Sequence, residues 1–145
     1  MKALLLSPYL QIAIVMGGST SILSGMRFGE IGSSILPNIL GFTIGAMAIV
    51  LSLATSQFFI FLAQGGEPRS FFMQLIANFL HYISLQATTI VVCVFEKQFG
   101  GIFLNFVASV MFIFSVLTPI AIGAQLFQMA RLYNAHASLK DDGPQ

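Results

Sequence analysis

Charge is the scarcest thing in this sequence. Six Lys or Arg and five Asp or Glu are spread over 145 residues, 8% of the chain, against roughly 25% in ordinary soluble domains. Helices with almost no polar face to wet do not make a soluble bundle, which excludes that class. Cysteine is nearly absent too. With Cys93 alone no intrachain disulfide can form, and its place in an apolar run makes it a small buried hydrophobe. Tryptophan is missing, and only Tyr9, Tyr82 and Tyr133 could mark an interface, so no aromatic belt sets helix depth. The two histidines, His81 and His136, lie on different segments and cannot build a zinc site with one distant cysteine. No phosphate-cradling glycine loop, dinucleotide fingerprint, nucleophile elbow or H-E-x-x-H helix occurs. All five carboxylates fall in expected loops or the tail. An enzyme is therefore not expected, nor a cofactor or metal. Arg131 and Lys140 at the carboxyl end are too few for direct nucleic-acid binding.

What is there is apolar, at 57% hydrophobic residues with a mean hydropathy of +0.90. The eleven charges are confined to Lys2, to the clusters Arg27/Glu30, Glu67/Arg69 and Glu96/Lys97, and to Arg131, Lys140, Asp141 and Asp142. The uncharged runs between them are 3–26, 31–66, 70–95 and 98–130. A membrane-spanning helix needs roughly 20 apolar residues, and a charge at its centre costs about 2.5–3.5 kcal/mol. The pattern predicts an all-α, polytopic integral membrane protein. Its spans are expected at about 3–25, 34–54 with an extension to 64, 70–95 and 101–130, with a tail over 131–145. Short connections make these a four-helix up-down transmembrane bundle.

Basic residues set the orientation. Lys2, Arg69, Arg131 and Lys140 fall on one side and Arg27 and Lys97 on the other, which predicts both termini in the cytoplasm. The first run reads as a retained helix rather than a signal peptide, because Pro8, Tyr9 and Gln11 interrupt it and no A-x-A-like site follows. The second run is too long for one simple crossing. Either helix two starts near Ser34 and continues past Thr55 into the interface, or Pro37 or the Thr55-Ser56-Gln57 triplet breaks it. The tail should continue helically from Arg131 and fray at Asp141-Asp142-Gly143-Pro144.

Two groups of residues stand out. Ser33, Pro37, Gly41 and Gly45 share one helical edge at four-residue spacing, and Gly41 and Gly45 form a G-x-x-x-G pair. Small residues let helices approach closely, either inside the protomer or between subunits. On helix three, at 100° per residue from Gln74, Asn78 falls at about 40°, His81 at 340°, Thr88 at 320° and Thr89 at 60°. This polar stripe should face protein or water rather than lipid. It could make interhelical hydrogen bonds, or line a pore or hydrated cleft that Asn105, Ser109, Ser115, Gln125 and Gln128 would complete. Pro119 removes a hydrogen bond to the Ser115 carbonyl, with Thr118 nearby to replace it.

The stretch S-I-L-P-N-I-L-G-F-T-I-G-A, residues 34–46, resembles the opening of a transmembrane helix in small bacterial membrane proteins of anti-phage defence islands. Those include membrane effectors of retron-type systems and the membrane component of the Kiwa type. The resemblance covers thirteen of the 145 residues. It implies an oligomeric inner-membrane protein without an enzymatic site, which disturbs the membrane or works with a cytosolic sensor. Pro37, Asn38, Gly41 and Gly45 are the matching positions. The expected function is a self-associating membrane effector or channel-like component, its partners the lipid bilayer, further copies and a cytosolic protein. The competing reading is a non-catalytic scaffold that anchors a partner at the membrane.

Overall fold

The computed structural model describes residues 8–23, 26–52, 60, 62–63 and 66–141. It contains four helices: α1 (Pro8–Leu23), α2 (Phe28–Ser52), α3 (Phe71–Phe99) and α4 (Ile102–Asp141). No strand occurs among the described residues. Three helices are long and apolar enough to cross a membrane, over Phe28–Ser52, Phe71–Phe99 and Ile102–Asn134. Their large side chains are widely exposed, among them Phe42, Val91, Phe103 and Phe127. An apolar exterior of this kind suits lipid rather than water.

The helix ends follow from local chemistry. Ser70 opens α3, its hydroxyl accepting from the Met73 amide at 3.4 Å. Gly100 and Gly101 close it with φ of 67° and 104°, a left-handed pair that turns the chain within two residues into α4. α3 therefore carries Glu96 and Lys97 in its last turn, where the charge pattern had placed a loop. α2 likewise begins at Phe28, ahead of the expected Ser34, and runs unbroken through Pro37. The Thr55-Ser56-Gln57 triplet and most of the extension to 64 lie outside the described residues. α4 is 40 residues long, or about 60 Å, twice a hydrocarbon core of about 30 Å.

Consecutive helices run antiparallel, but α1 is not seated on its chain neighbour. Its main contact is α4, while α2, α3 and α4 all pack against one another. Two apolar clusters lie at opposite ends of that trio. Phe28, Leu36, Cys93 and Ala108 form one, with the Phe28 and Phe112 rings 5.8 Å apart. Val50, Leu62, Leu75, Phe79 and Ile122 form the other.

Lipid is as apolar as leucine, so helices associate by close fit and interhelical hydrogen bonds. The closest fit is between α2 and α3. A Cβ on Gly29 would meet the Glu96 carboxylate, the Cys93 carbonyl at 2.6 Å and the Lys97 amide at 2.8 Å. One on Gly32 would meet the Cys93 sulfur. On α1, a Cβ on Gly17 would meet the Val110 backbone at 2.8 Å. By contrast, a Cβ at Gly41 or Gly45 would meet nothing within 4 Å.

Gly29→Ala should therefore lower stability by about 1–3 kcal/mol, the usual cost of overpacking against groups that cannot yield. Gly41→Ala should leave protomer stability unchanged. Thermal unfolding of both variants in one detergent, followed by far-ultraviolet circular dichroism, checks the pair. Equal melting curves would show that α2 and α3 do not meet at Gly29.

Candidate functional site

Polar groups gather at two levels of the bundle. The first is the end where α2 begins and α3 finishes. The segment before α2 offers Met26 and Arg27 rather than a capping Ser, Thr or Asp, so its first amides need distant partners. Asn105 Oδ1 accepts from the Phe28 amide at 3.1 Å, and Glu96 Oε2 accepts from the Gly29 amide at 2.9 Å. Glu96 Oε1 lies 3.5 Å from Arg27 Nε, and the carboxylate side chain is only 2% exposed. Arg27 in turn donates through Nη2 to the Glu96 and Lys97 carbonyls, both at 3.4 Å. Arg27 thus caps the end of α3 while Glu96 caps the start of α2. Asn105 extends the network by donating to Ser21 Oγ at 3.2 Å and to the Met26 carbonyl at 3.1 Å. The cluster draws on all four helices.

The second level is a polar waist between the two apolar clusters. Thr43, Gln86, Thr89, Ser115 and Thr118 are all buried. Thr89 donates to the Leu85 carbonyl and lies 2.8 Å from the Ser115 hydroxyl, which must then donate to it. Thr118 donates to the Ser115 carbonyl at 2.8 Å, the acceptor that Pro119 leaves without its helical amide. Gln86, one turn from Thr89, is fully buried, and neither end of its amide finds a partner. Gln125 has a buried Oε1 in the same condition.

The stripe expected on α3 is divided by this arrangement. Thr89 is inside, on the line Leu75, Phe79, Tyr82, Gln86, Thr89, Cys93 and Glu96 that faces the core. Gln74, His81 and Thr88 are exposed on the outside of the protomer, and Asn78 is half-buried. Their hydrogen bonds are local: Gln74 donates to the Arg69 carbonyl and Thr88 to the Ser84 carbonyl. His81 stacks edge-on against Tyr82, with ring centroids 5.8 Å apart. The helix-four residues offered as completing a path do not share one. Ser109 donates to the Gly17 carbonyl of α1, Asn105 anchors the capped end, and Gln128 is exposed near Arg131. Of the small-residue edge, Ser33 is half-buried and donates to the Glu30 carbonyl. Pro37, Gly41 and Gly45 point outward. Close packing inside the protomer falls instead to Gly29 and Gly32, about three turns nearer the amino end than Gly41 and Gly45.

Two residues of consequence were not foreseen. Glu96, a loop charge by the charge pattern, is buried within α3, and Gln86, at about 120° from Gln74 and so off the expected stripe, is buried in the core. The signal for both was the 3-4-3 spacing of Gln86, Thr89, Cys93 and Glu96, which continues the line of Leu75, Phe79 and Tyr82.

An unpartnered buried amide costs about 1–3 kcal/mol relative to an apolar group of the same shape. Gln86→Met should accordingly raise the melting temperature, while Glu96→Ala, which strips α2 of a cap, should lower it. A Gln86→Met protein less stable than wild type would mean that the amide is satisfied.

Compared with known proteins, the chain matches no family model, no curated protein and no solved structure.

Proposed function

We propose that the chain is a four-span protein of the bacterial inner membrane that self-associates and alters membrane permeability as an effector or channel-like component. The observation that carries this reading is the outward polar face of α3. Counted from the helix midpoint at Leu85, Thr88 lies roughly 5 Å along the axis, His81 roughly 6 Å and Asn78 roughly 10 Å, all within a hydrocarbon half-thickness of about 15 Å. Polar side chains at such depth face protein or water. The protomer's own helices leave Gln74, His81 and Thr88 uncovered, so a neighbouring copy or a shared aqueous path is what would cover them. The outward Gly41–Gly45 edge of α2 is where a second copy could approach closely.

The fourth span in this proposal is α1. Its described part, Pro8–Leu23, covers about 24 Å and lies antiparallel against α4, bonded through Ser109 to Gly17 and through Asn105 to Ser21. The basic residues favour a cytoplasmic side holding both termini. No catalytic role enters the proposal. The resemblance of residues 34–46 makes anti-phage defence, with a cytosolic sensor, the setting in which it is framed. One observation favours the scaffold alternative: α4 runs to Asp141, about 15 Å beyond Arg131, an extension suited to holding a cytosolic partner.

Topology is tested by reporter fusions. Those after Glu67 and at Gln145 should report cytoplasm, and those at Gly29 and Gln98 the opposite side. A carboxyl terminus on the far side would overturn the span count or the orientation.

Permeability and assembly are tested together. Expression, alone or with the neighbouring gene and a trigger, should depolarise cells. Asn78→Leu with His81→Leu should abolish depolarisation while crosslinked oligomers persist, and Gly41→Leu should weaken the oligomers. Wild-type depolarisation by a well-assembled double variant would remove the α3 face from the mechanism. Co-purification of a partner with no change in permeability would favour the scaffold.

A further inference from the structure

The capped end of the bundle also holds an open cleft of about 710 Å³, walled by the segment before α2, the last turn of α3 and the start of α4. We propose that this cleft binds a phosphate anion through Arg27 and Lys97, carried on a phospholipid headgroup or free in solution.

Charge and geometry both point there. Arg27, Lys97 and Glu96 are the charged residues of the lining, which leaves it one positive charge in excess. Glu96 is buried, with one oxygen on the Gly29 amide and the other facing Arg27, so it holds the guanidinium in place. Arg27 is pinned by Nε and Nη2, yet its side chain is 52% exposed. The two N–H groups of Nη1 have no acceptor among the described residues. A fixed guanidinium with a free edge is suited to a phosphate oxygen, and fixing it in advance lowers the entropy lost on binding. Lys97 is exposed in the same lining, with no carboxylate partner among the described residues. Gln98 adds a neutral donor at the wall.

The surroundings fit an amphipathic ligand. Phe99 and Ile102 line the cleft and, like neighbouring Phe103, are largely exposed. An anionic headgroup would lie on the basic residues at the end of the spans, with its acyl chains along these apolar side chains. Free phosphate would use the basic residues alone. This assignment stands apart from the proposed effector role, because it uses neither the α3 face nor self-association.

The test uses the full chain in detergent with three probes: phosphatidylglycerol, diacylglycerol with the same acyl chains, and inorganic phosphate. Native mass spectrometry reads lipid retention and circular dichroism reads the shift in melting temperature. Wild type should retain phosphatidylglycerol well above diacylglycerol. Lys97→Glu, which keeps the backbone carbonyl that Arg27 uses and removes no side-chain bond among the described residues, should cut that retention about tenfold or more. Arg131→Gln, at the other end of the bundle, should not change it. Inorganic phosphate that stabilises the protein and displaces the lipid would make the source soluble. Indifference to it, with phosphatidylglycerol retained, would make the source a lipid. Equal retention of diacylglycerol, wild-type binding by Lys97→Glu, or an equal loss with Arg131→Gln would each overturn the site.

Discussion

The bundle depends on one exchange of caps between the start of α2 and the end of α3. In a membrane, the first amides of a helix and its last carbonyls find no water within the hydrocarbon, and each unsatisfied group costs several kcal/mol. α2 meets this cost with Glu96 and Asn105, which come from the two helices it packs against. Side chains can serve in this way only if the helix axes come close, and Gly29 and Gly32 allow that approach. Glu96 would be an expensive charge in isolation. Placed at the positive end of α2, on an amide and beside Arg27, it is compensated on both oxygens. The exchange also sets register: moving α3 by one residue would pull Glu96 from the Gly29 amide.

Register propagates from there. With Gly29 opposite Glu96 in an antiparallel pair, Val50 arrives beside Leu75 and Phe79 without further instruction. Asn105 ties α4 to the same level, and the Thr89–Ser115 bond repeats the alignment near the middle of α3. α1 is joined through Asn105 to Ser21 and Ser109 to Gly17, which is why it rides on α4 rather than on α2. The buried waist is therefore a second check on alignment. Ser115 gives its hydroxyl to Thr89 and its carbonyl to Thr118, so Pro119 sits in α4 without leaving a bare acceptor.

Much of this was legible in the sequence, and the boundary of what was legible has a physical cause. Clustered charge marked where the chain leaves the apolar phase, and that located the three long helices. The service of Thr118 to the Ser115 carbonyl was also readable, because it is local and follows from proline chemistry. Rotational phase was not readable. In a soluble helix the wet face is polar and the core face apolar, but here lipid and protein interior are equally apolar, so periodicity cannot tell inside from outside. The outward setting of Gly41 and Gly45, the inward setting of Gly29 and Gly32, and the burial of Gln86 all turn on phase. Glu96 is hidden for a related reason: a charge ordinarily marks the end of an apolar helix, whereas this one lies within α3 and caps the start of α2.

Phase, once known, divides α3 into three arcs. Counted at 100° per residue from Gln74, the core line Leu75, Phe79, Gln86, Thr89 and Cys93 centres at about 105°. The exposed apolar side chains Met73, Leu80, Val91, Val94 and Phe95 centre near 250°. Gln74, Asn78, His81 and Thr88 lie between them, near 0°. A helix surrounded by lipid outside its core contact would need only the first two arcs. The third is a separate polar flank beside the protomer's own interface, and hydrocarbon is the one surrounding that it does not suit. A neighbouring copy seated there would meet a helix whose polar groups are already bonded to their own backbone at Gln74 and Thr88. Such groups can accept a further contact or a water molecule without first being freed. The flank thus stands apart from the contacts that hold the protomer, which lie at the caps and the waist.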